Sequence, residues 1–166
     1  MSGFEDVLAA NEDYAARFSD SGLPGTAARE LAVITCMDSR IEPLQMLGLK
    51  PGDAKILRNA GARVTDDVLR TLVLAVHLLG VRRVLLVAHT DCRMTKVTDD
   101  DVHAEIAADS GIDTRSLDFH TIEDQRGTLA RDVQRIRSSP YLTPGVEVLG
   151  ALYDVRSGRI EVVVPA

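Results

Sequence analysis

The sequence predicts an α/β domain with a mainly parallel sheet flanked by helices, and three observations carry that expectation. Short apolar runs stand at Leu31–Thr35, which is rich in β-branched residues, and at Val84–Ala88, and Ala54–Leu57 reads as a further short strand. The two runs are continuous rather than alternating, as strands buried on both faces are. Segments of helical periodicity separate the strands, and strand–helix alternation is the pattern of a parallel sheet. The chain has 166 residues, 45% apolar and 27% charged. That is an ordinary globular composition at the size of one domain, so residues 1–166 are read as a single unit.

Each element has its own signal. Over residues 1–20, Phe4, Val7, Leu8, Tyr14 and Phe18 fall near one face of an amphipathic helix, which the following Ser-Asp-Ser-Gly-Leu-Pro-Gly run ends. Leu31–Thr35 leads straight into Cys36, placing the cysteine at a strand's carboxyl end. Pro43 opens a short helix that Gly48 closes. Pro51-Gly52-Asp53 then turns the chain into a second strand ending at Arg58-Asn59-Ala60-Gly61. Thr65 caps the next helix, with Asp66 and Asp67 in its first turn. The second half of that helix is apolar almost all round, which predicts burial and makes His77 a packed, hydrogen-bonded core histidine.

Arg82-Arg83 precede the third strand, which ends at His89-Thr90-Asp91-Cys92. Residues 100–108 predict a short helix. Asp99-Asp100-Asp101 at its start lack the glycine and distal glutamate of a calcium loop and read as a solvated helix terminus. The stretch from Gly111 to His120 is polar and irregular, and His103 and His120 are expected in solvent. Ile122, Leu129, Val133 and Ile136 mark a last helix that stops before Pro140. Val146–Val155 and Arg159–Val164, joined through Ser157-Gly158, predict a terminal hairpin.

Nineteen basic against 25 acidic side chains leave a formal net charge of -6, which repels phosphate backbones and anionic lipid, so neither nucleic acid nor membrane is an expected partner. The N-terminus carries acids where a secretory signal has a basic and then an apolar region. The longest apolar stretch, Leu72 to Val81, is broken by His77 and Gly80 and falls short of the roughly 20 residues of a membrane helix. A cytoplasmic location is expected. In that reducing compartment the two cysteines, Cys36 and Cys92, are more often catalytic or metal-binding than bridged.

Ligands of parallel sheets gather beyond the carboxyl ends of the strands. Cys36 and the His89/Cys92 pair both stand at such ends. Zinc takes thiolate and imidazole donors in tetrahedral geometry, and three protein donors leave a fourth position for water or substrate. H-x-x-C alone is a weak signal, because inert core thiols are common. A cysteine phosphatase would need arginine where Glu42 stands, and no C-x-x-C of a thioredoxin-like oxidoreductase is present.

Cys36 opens Cys36-Met37-Asp38-Ser39-Arg40, adding an acid and a guanidinium just past the strand end. C-x-D-x-R followed by H-x-x-C resembles the signature of the β-carbonic anhydrases. Pro51-Gly52-Asp53, Arg58-Asn59-Ala60-Gly61, Gly150 and Tyr153-Asp154 look like further family segments in the expected order. The similarity spans roughly residues 30 to 155 and resembles most the short bacterial branch that includes carbonyl sulfide hydrolases. It implies a β-carbonic-anhydrase-like fold and one Zn²⁺ per chain on Cys36, His89 and Cys92. It also implies a catalytic dyad of Asp38 and Arg40, Asp38 being a fourth metal ligand whenever the site closes. The implied activity is reversible hydration of carbon dioxide to bicarbonate and a proton, in a homodimer or dimer of dimers. Hydrolysis of carbonyl sulfide by the same metal-activated water is the alternative, and a structural or metal-sensing zinc module is the non-enzymatic one. The glycine at 61 is expected to let a backbone N–H approach substrate. Two departures stand out: Ala88 and Arg93 replace glycines that flank H-x-x-C in many members, and Leu49-Lys50 stand where many carry a glutamine.

Overall fold

The computed structural model describes residues 3–166, among which five strands form one sheet. In chain order the elements are helix α1 (Glu5–Ala15), strand β1 (Leu31–Cys36), helix α2 (Pro43–Met46), strand β2 (Ala54–Asn59), helix α3 (Asp66–Leu78) and strand β3 (Arg83–His89). Helix α4 (Asp99–Ser110), helix α5 (Gln125–Arg137), strand β4 (Glu147–Tyr153) and strand β5 (Ile160–Val164) follow. The order across the sheet is β2-β1-β3-β4-β5. The first four strands are parallel, and β5 runs antiparallel to β4 as the second arm of the expected hairpin. The chain leaves β1 toward β2 and then returns across it to β3. The border between β1 and β3 is therefore the topological switch point, where the diverging connections leave a crevice beyond the strand ends.

Both faces of the central strands are buried, as continuous apolar runs require. Ala32, Ile34 and Cys36 of β1 join Leu86 and Ala88 of β3 in one core with Leu72 of α3 and Leu129, Val133 and Ile136 of α5. Val33, Thr35 and Val87, on the opposite face, are equally inaccessible. The Thr35 hydroxyl donates to the Val87 carbonyl (3.1 Å), which satisfies the one polar side chain of β1 in the core. A second buried polar pair ties α5 to the chain after β2. Arg63 Nε donates to Asp132 Oδ2 (2.8 Å), and Arg63 Nη1 donates to the His120 carbonyl (2.8 Å).

The helix caps follow the sequence. Thr65 accepts from the Val68 N–H, Thr98 and Asp101 form a reciprocal capping box, and Asp124 accepts from the Gly127 N–H. The expectations for α3 and His77 need correction. The second half of α3 is not buried all round: Leu74 and Leu78 are exposed, and His77 is an exposed side chain whose Nε2 meets the Tyr141 carbonyl at 2.9 Å. No residue of α1 is buried, and Phe4, Val7, Leu8, Tyr14 and Phe18 all face solvent in the single chain. The amphipathic pattern of α1 is real, but among the described residues its apolar side chains are left exposed, apart from the Tyr14 ring against Phe18.

His103 is also half-buried rather than solvated. Its Nδ1 lies 2.9 Å from the Thr114 hydroxyl and its ring packs on Phe119. Asp99, at the start of α4, has a specific task. Its carboxylate accepts from the Thr121 hydroxyl (2.5 Å), the Thr121 N–H (3.0 Å) and the Phe119 N–H (2.7 Å), pinning the irregular segment to the helix. These bonds, the Thr121 hydroxyl first, hold its carboxyl at about 2. A depressed carboxyl stabilises the folded state above its unfolded value of about 3.9, and that contribution disappears as pH falls toward 2. Asp99→Asn is therefore expected to lower the thermal midpoint by a few degrees at about pH 6. The gap to wild type should narrow as pH falls below about 4, to roughly half at about pH 3, and close toward about pH 2. A gap that stays constant over that range would show that charge on Asp99 is irrelevant.

Candidate metal centre

At the switch point β1 delivers Cys36 and β3 delivers His89. The two-residue turn Thr90-Asp91 swings Cys92 back beside them. Asp91 sits at φ 58°, the left-handed region, so this turn reverses within two residues. The ligand atoms of Cys36, His89 and Cys92 lie within 4.8 Å of one another, and all three residues are buried. Both cysteines are free.

The surroundings fix the donors. His89 Nδ1 stands 2.8 Å from the Thr90 carbonyl, which only accepts, so Nδ1 carries the proton and Nε2 the lone pair. That Nε2 is buried with no hydrogen-bond partner, a deficit of about 1–3 kcal/mol for an unpaired polar atom. Gln125 Nε2 donates to the His89 carbonyl (2.8 Å) and anchors the same residue from α5. The Gly61 N–H donates to Cys36 Sγ at 3.4 Å, so it serves a sulfur rather than standing free for substrate as expected from the sequence. Gly61 has φ 75°, and a Cβ there would come 3.0 Å from Ile122. Asn59 closes that turn, its amide bonding both the N–H and the carbonyl of Arg63.

Among the thiols, the Cys92 S–H, then His89 and the backbone N–H groups, push Cys36 down to about 4, against the burial that opposes it. Cys92, donating to that sulfur and buried, is held well above the ordinary thiol range. Burial opposes charge on His89, but the Cys36 thiolate beside it holds its pKa above the usual value. Two sulfurs, one of them favoured as thiolate, and one unpaired imidazole nitrogen converge within 4.8 Å. That set matches a tetrahedral soft or borderline divalent ion with one position left open, and zinc fits it.

Asp38 lies just outside this triangle, its Oδ2 3.8 Å from His89 Nε2. Arg40 grips it in bidentate fashion, with Nε on Oδ1 (2.9 Å) and Nη2 on Oδ2 (2.7 Å), while the Arg40 N–H also donates to Oδ1 (2.9 Å). The Arg40 guanidinium holds the Asp38 carboxyl well below the usual carboxylate range. Arg58, on β2, braces the loop from below by donating to the carbonyls of Cys36 (3.0 Å) and Asp38 (2.6 Å). The structure thus brings together all five residues singled out in the sequence. Arg58, Asp91 and Gln125 escaped that reading as participants because their contacts span 20, 51 and 36 positions, with no local signature.

A family profile described as Carbonic anhydrase matches residues 31–160. Beta-carbonic anhydrase 1 of Mycobacterium bovis and of Mycobacterium tuberculosis are each 39% identical over 99% of this chain and 100% of theirs. The chain is an enzyme of the β-carbonic anhydrase family. A carbonic anhydrase from Streptococcus mutans superimposes with a TM-score of 0.92 at 36% identity, covering 98% of both chains. A carbon disulfide hydrolase from an Acidianus species is 33% identical over 90% of this chain and 83% of its own. In this chain the sheet is mostly parallel, its switch point carries the Cys-His-Cys group, and no helix among the described residues is long and apolar enough to cross a membrane.

Proposed function

We propose that the protein catalyses the reversible hydration of carbon dioxide to bicarbonate and a proton, with one Zn²⁺ per chain held by Cys36, His89 and Cys92. The observation that carries this reading is the unpaired, buried His89 Nε2 aimed at two thiols, with an ionised carboxylate held 3.8 Å away by its own arginine. Zinc bound there supplies Lewis acidity that makes water nucleophilic near neutral pH. The chain's own groups do the rest. Asp38 Oδ2, 3.8 Å from His89 Nε2, orients the attacking water by accepting its hydrogen bond. A carboxylate so strongly stabilised as an anion is a poor base, so Asp38 directs the water rather than taking its proton. Arg40 keeps Asp38 ionised, and by gripping both its oxygens keeps them off the metal position, so that position stays open.

The Acidianus relative bears the name of a carbon disulfide hydrolase, which makes a sulfur-bearing linear substrate the second reading, carbonyl sulfide in particular. Carbon dioxide comes first because the full-length relatives at 39% are carbonic anhydrases. Stopped-flow hydration of carbon dioxide on metal-quantified protein tests enzyme against a structural or metal-sensing zinc module, for which no turnover is expected. Measured on the same preparation, kcat/KM for carbon dioxide is expected to exceed that for carbonyl sulfide, and the opposite order would reverse the assignment. The exposed apolar face of α1 supports a homodimer, or a dimer of dimers, in which a second copy covers Phe4, Val7 and Leu8. A ligand set with two thiolates supports a reducing compartment, the cytoplasm.

A further inference from the structure

We propose that Asp91 is a positioning residue that locks Arg40 onto Asp38 and so keeps the fourth metal position open. The inference rests on the metal-site reading above and extends it to a residue between two of the ligands. Arg40 is divided between two carboxylates. Its Nε and Nη2 hold Asp38, while Nη1 donates to Asp91 Oδ2 (2.9 Å) and Nη2 donates also to the Asp91 backbone carbonyl (3.1 Å). Four of the five guanidinium N–H bonds are thereby used and the plane of the fork is fixed. Asp91 is held in turn by the Lys96 ammonium on its other oxygen. Its left-handed backbone, φ 58°, aims both its carbonyl and its carboxylate at Arg40.

The lock is needed because Arg40 is itself 45% exposed. Asp38 is only 17% exposed, but water reaches the guanidinium that holds it, so the pair gains from a second anchor on Arg40. Asp38 Oδ2 lies only 3.8 Å from His89 Nε2, so a modest rotation of a released carboxylate brings it onto the metal position and shuts out water. The contact with Asp91 also joins the loop after β1 to the turn after β3, the two segments that carry the ligands. Asp91 is not among the three residues whose ligand atoms converge, its carboxylate bonds to Arg40 and Lys96, and it acts through Arg40.

The test uses Asp91→Gly, which fits the left-handed turn while removing the carboxylate, and Asp91→Asn, which keeps an oxygen to accept from Arg40 Nη1. Cobalt(II)-substituted proteins are titrated with thiocyanate, a probe for an open fourth position, by visible absorption, alongside kcat for carbon dioxide. Asp91→Gly is expected to keep cobalt, to bind thiocyanate at least about tenfold more weakly and to lose at least about tenfold in kcat, with Asp91→Asn recovering most of both. A smaller change in thiocyanate affinity in Asp91→Gly overturns the proposal. So does loss of cobalt from that variant, because a role confined to Arg40 leaves the three donors intact, and so does a wild-type protein that takes no thiocyanate. If the wild type fails to hydrate carbon dioxide while thiocyanate binding still depends on Asp91, the functional reading falls and the positioning role stands.

Discussion

Cys36→Ser, His89→Ala and Cys92→Ser are each expected to abolish metal binding and carbon dioxide hydration together. A three-donor site has no donor to spare, and with two left the protein fills only half of a tetrahedron. The sulfurs matter beyond their number, since a hydroxyl at the same place is not ionised near neutral pH and offers a soft or borderline ion little. The fold should survive. Cys36 and Cys92 are 4% and 2% exposed, so serine replaces each with nearly the same volume and costs about 1–3 kcal/mol for a buried hydroxyl, short of the whole stability of a domain. Element analysis of purified wild type is expected to give close to one zinc per chain. Zinc at wild-type occupancy in all three variants would remove the Cys36–His89–Cys92 assignment, whatever the activity.

The convergence of Cys36, His89 and Cys92 was readable because each part of it follows from a local rule. Continuous apolar runs mark buried parallel strands, strand ends mark the binding edge, and Cys36 and His89 terminate β1 and β3. Harder to read was where apolar surface goes. Leu74 and Leu78 on α3 and the whole apolar face of α1 carry the periodicity of core helices, yet they are exposed, because a hydrophobic stripe records burial against something without saying whether that something is in the same chain. Gly61 was legible as a place of close backbone approach, but its partner turned out to be Cys36 Sγ. Nothing local reports a sulfur brought from a neighbouring strand. Asp91 was hidden for the same reason: its position in the turn is local, but its partner Arg40 arrives only when β1 and β3 pair. The capping acids show the opposite case. Asp101 is a helix-start residue in sequence and in structure because its partner Thr98 is three positions away.

Arg40→Ala and Asp38→Ala are expected to keep zinc and lose about 10²-fold or more in kcat, a loss of the size that misplacing a reacting group produces. Metal is retained because neither side chain belongs to the Cys-His-Cys triangle. The two variants fail differently. In Asp38→Ala the water loses its acceptor but the fourth position stays open, so a small anion should still bind. In Arg40→Ala the carboxylate is freed 3.8 Å from His89 Nε2 and competes for that position, so anion binding should weaken as turnover falls. Protonation of Asp38 cannot explain the second loss. Arg40 holds the Asp38 carboxyl far below its ordinary value, and removing the guanidinium lets the pKa rise only toward about 3.9, still well under neutral pH. Asp38 therefore remains an anion in the variant, and what changes is where it sits. For the same reason the acid side of the wild-type activity profile does not belong to Asp38. With two thiolates in the ligand set, water at the centre ionises less readily than beside three neutral imidazoles, so activity is expected to climb from neutral into alkaline pH. A flat profile together with near wild-type turnover in Arg40→Ala would reduce Asp38–Arg40 to a loop-fixing ion pair.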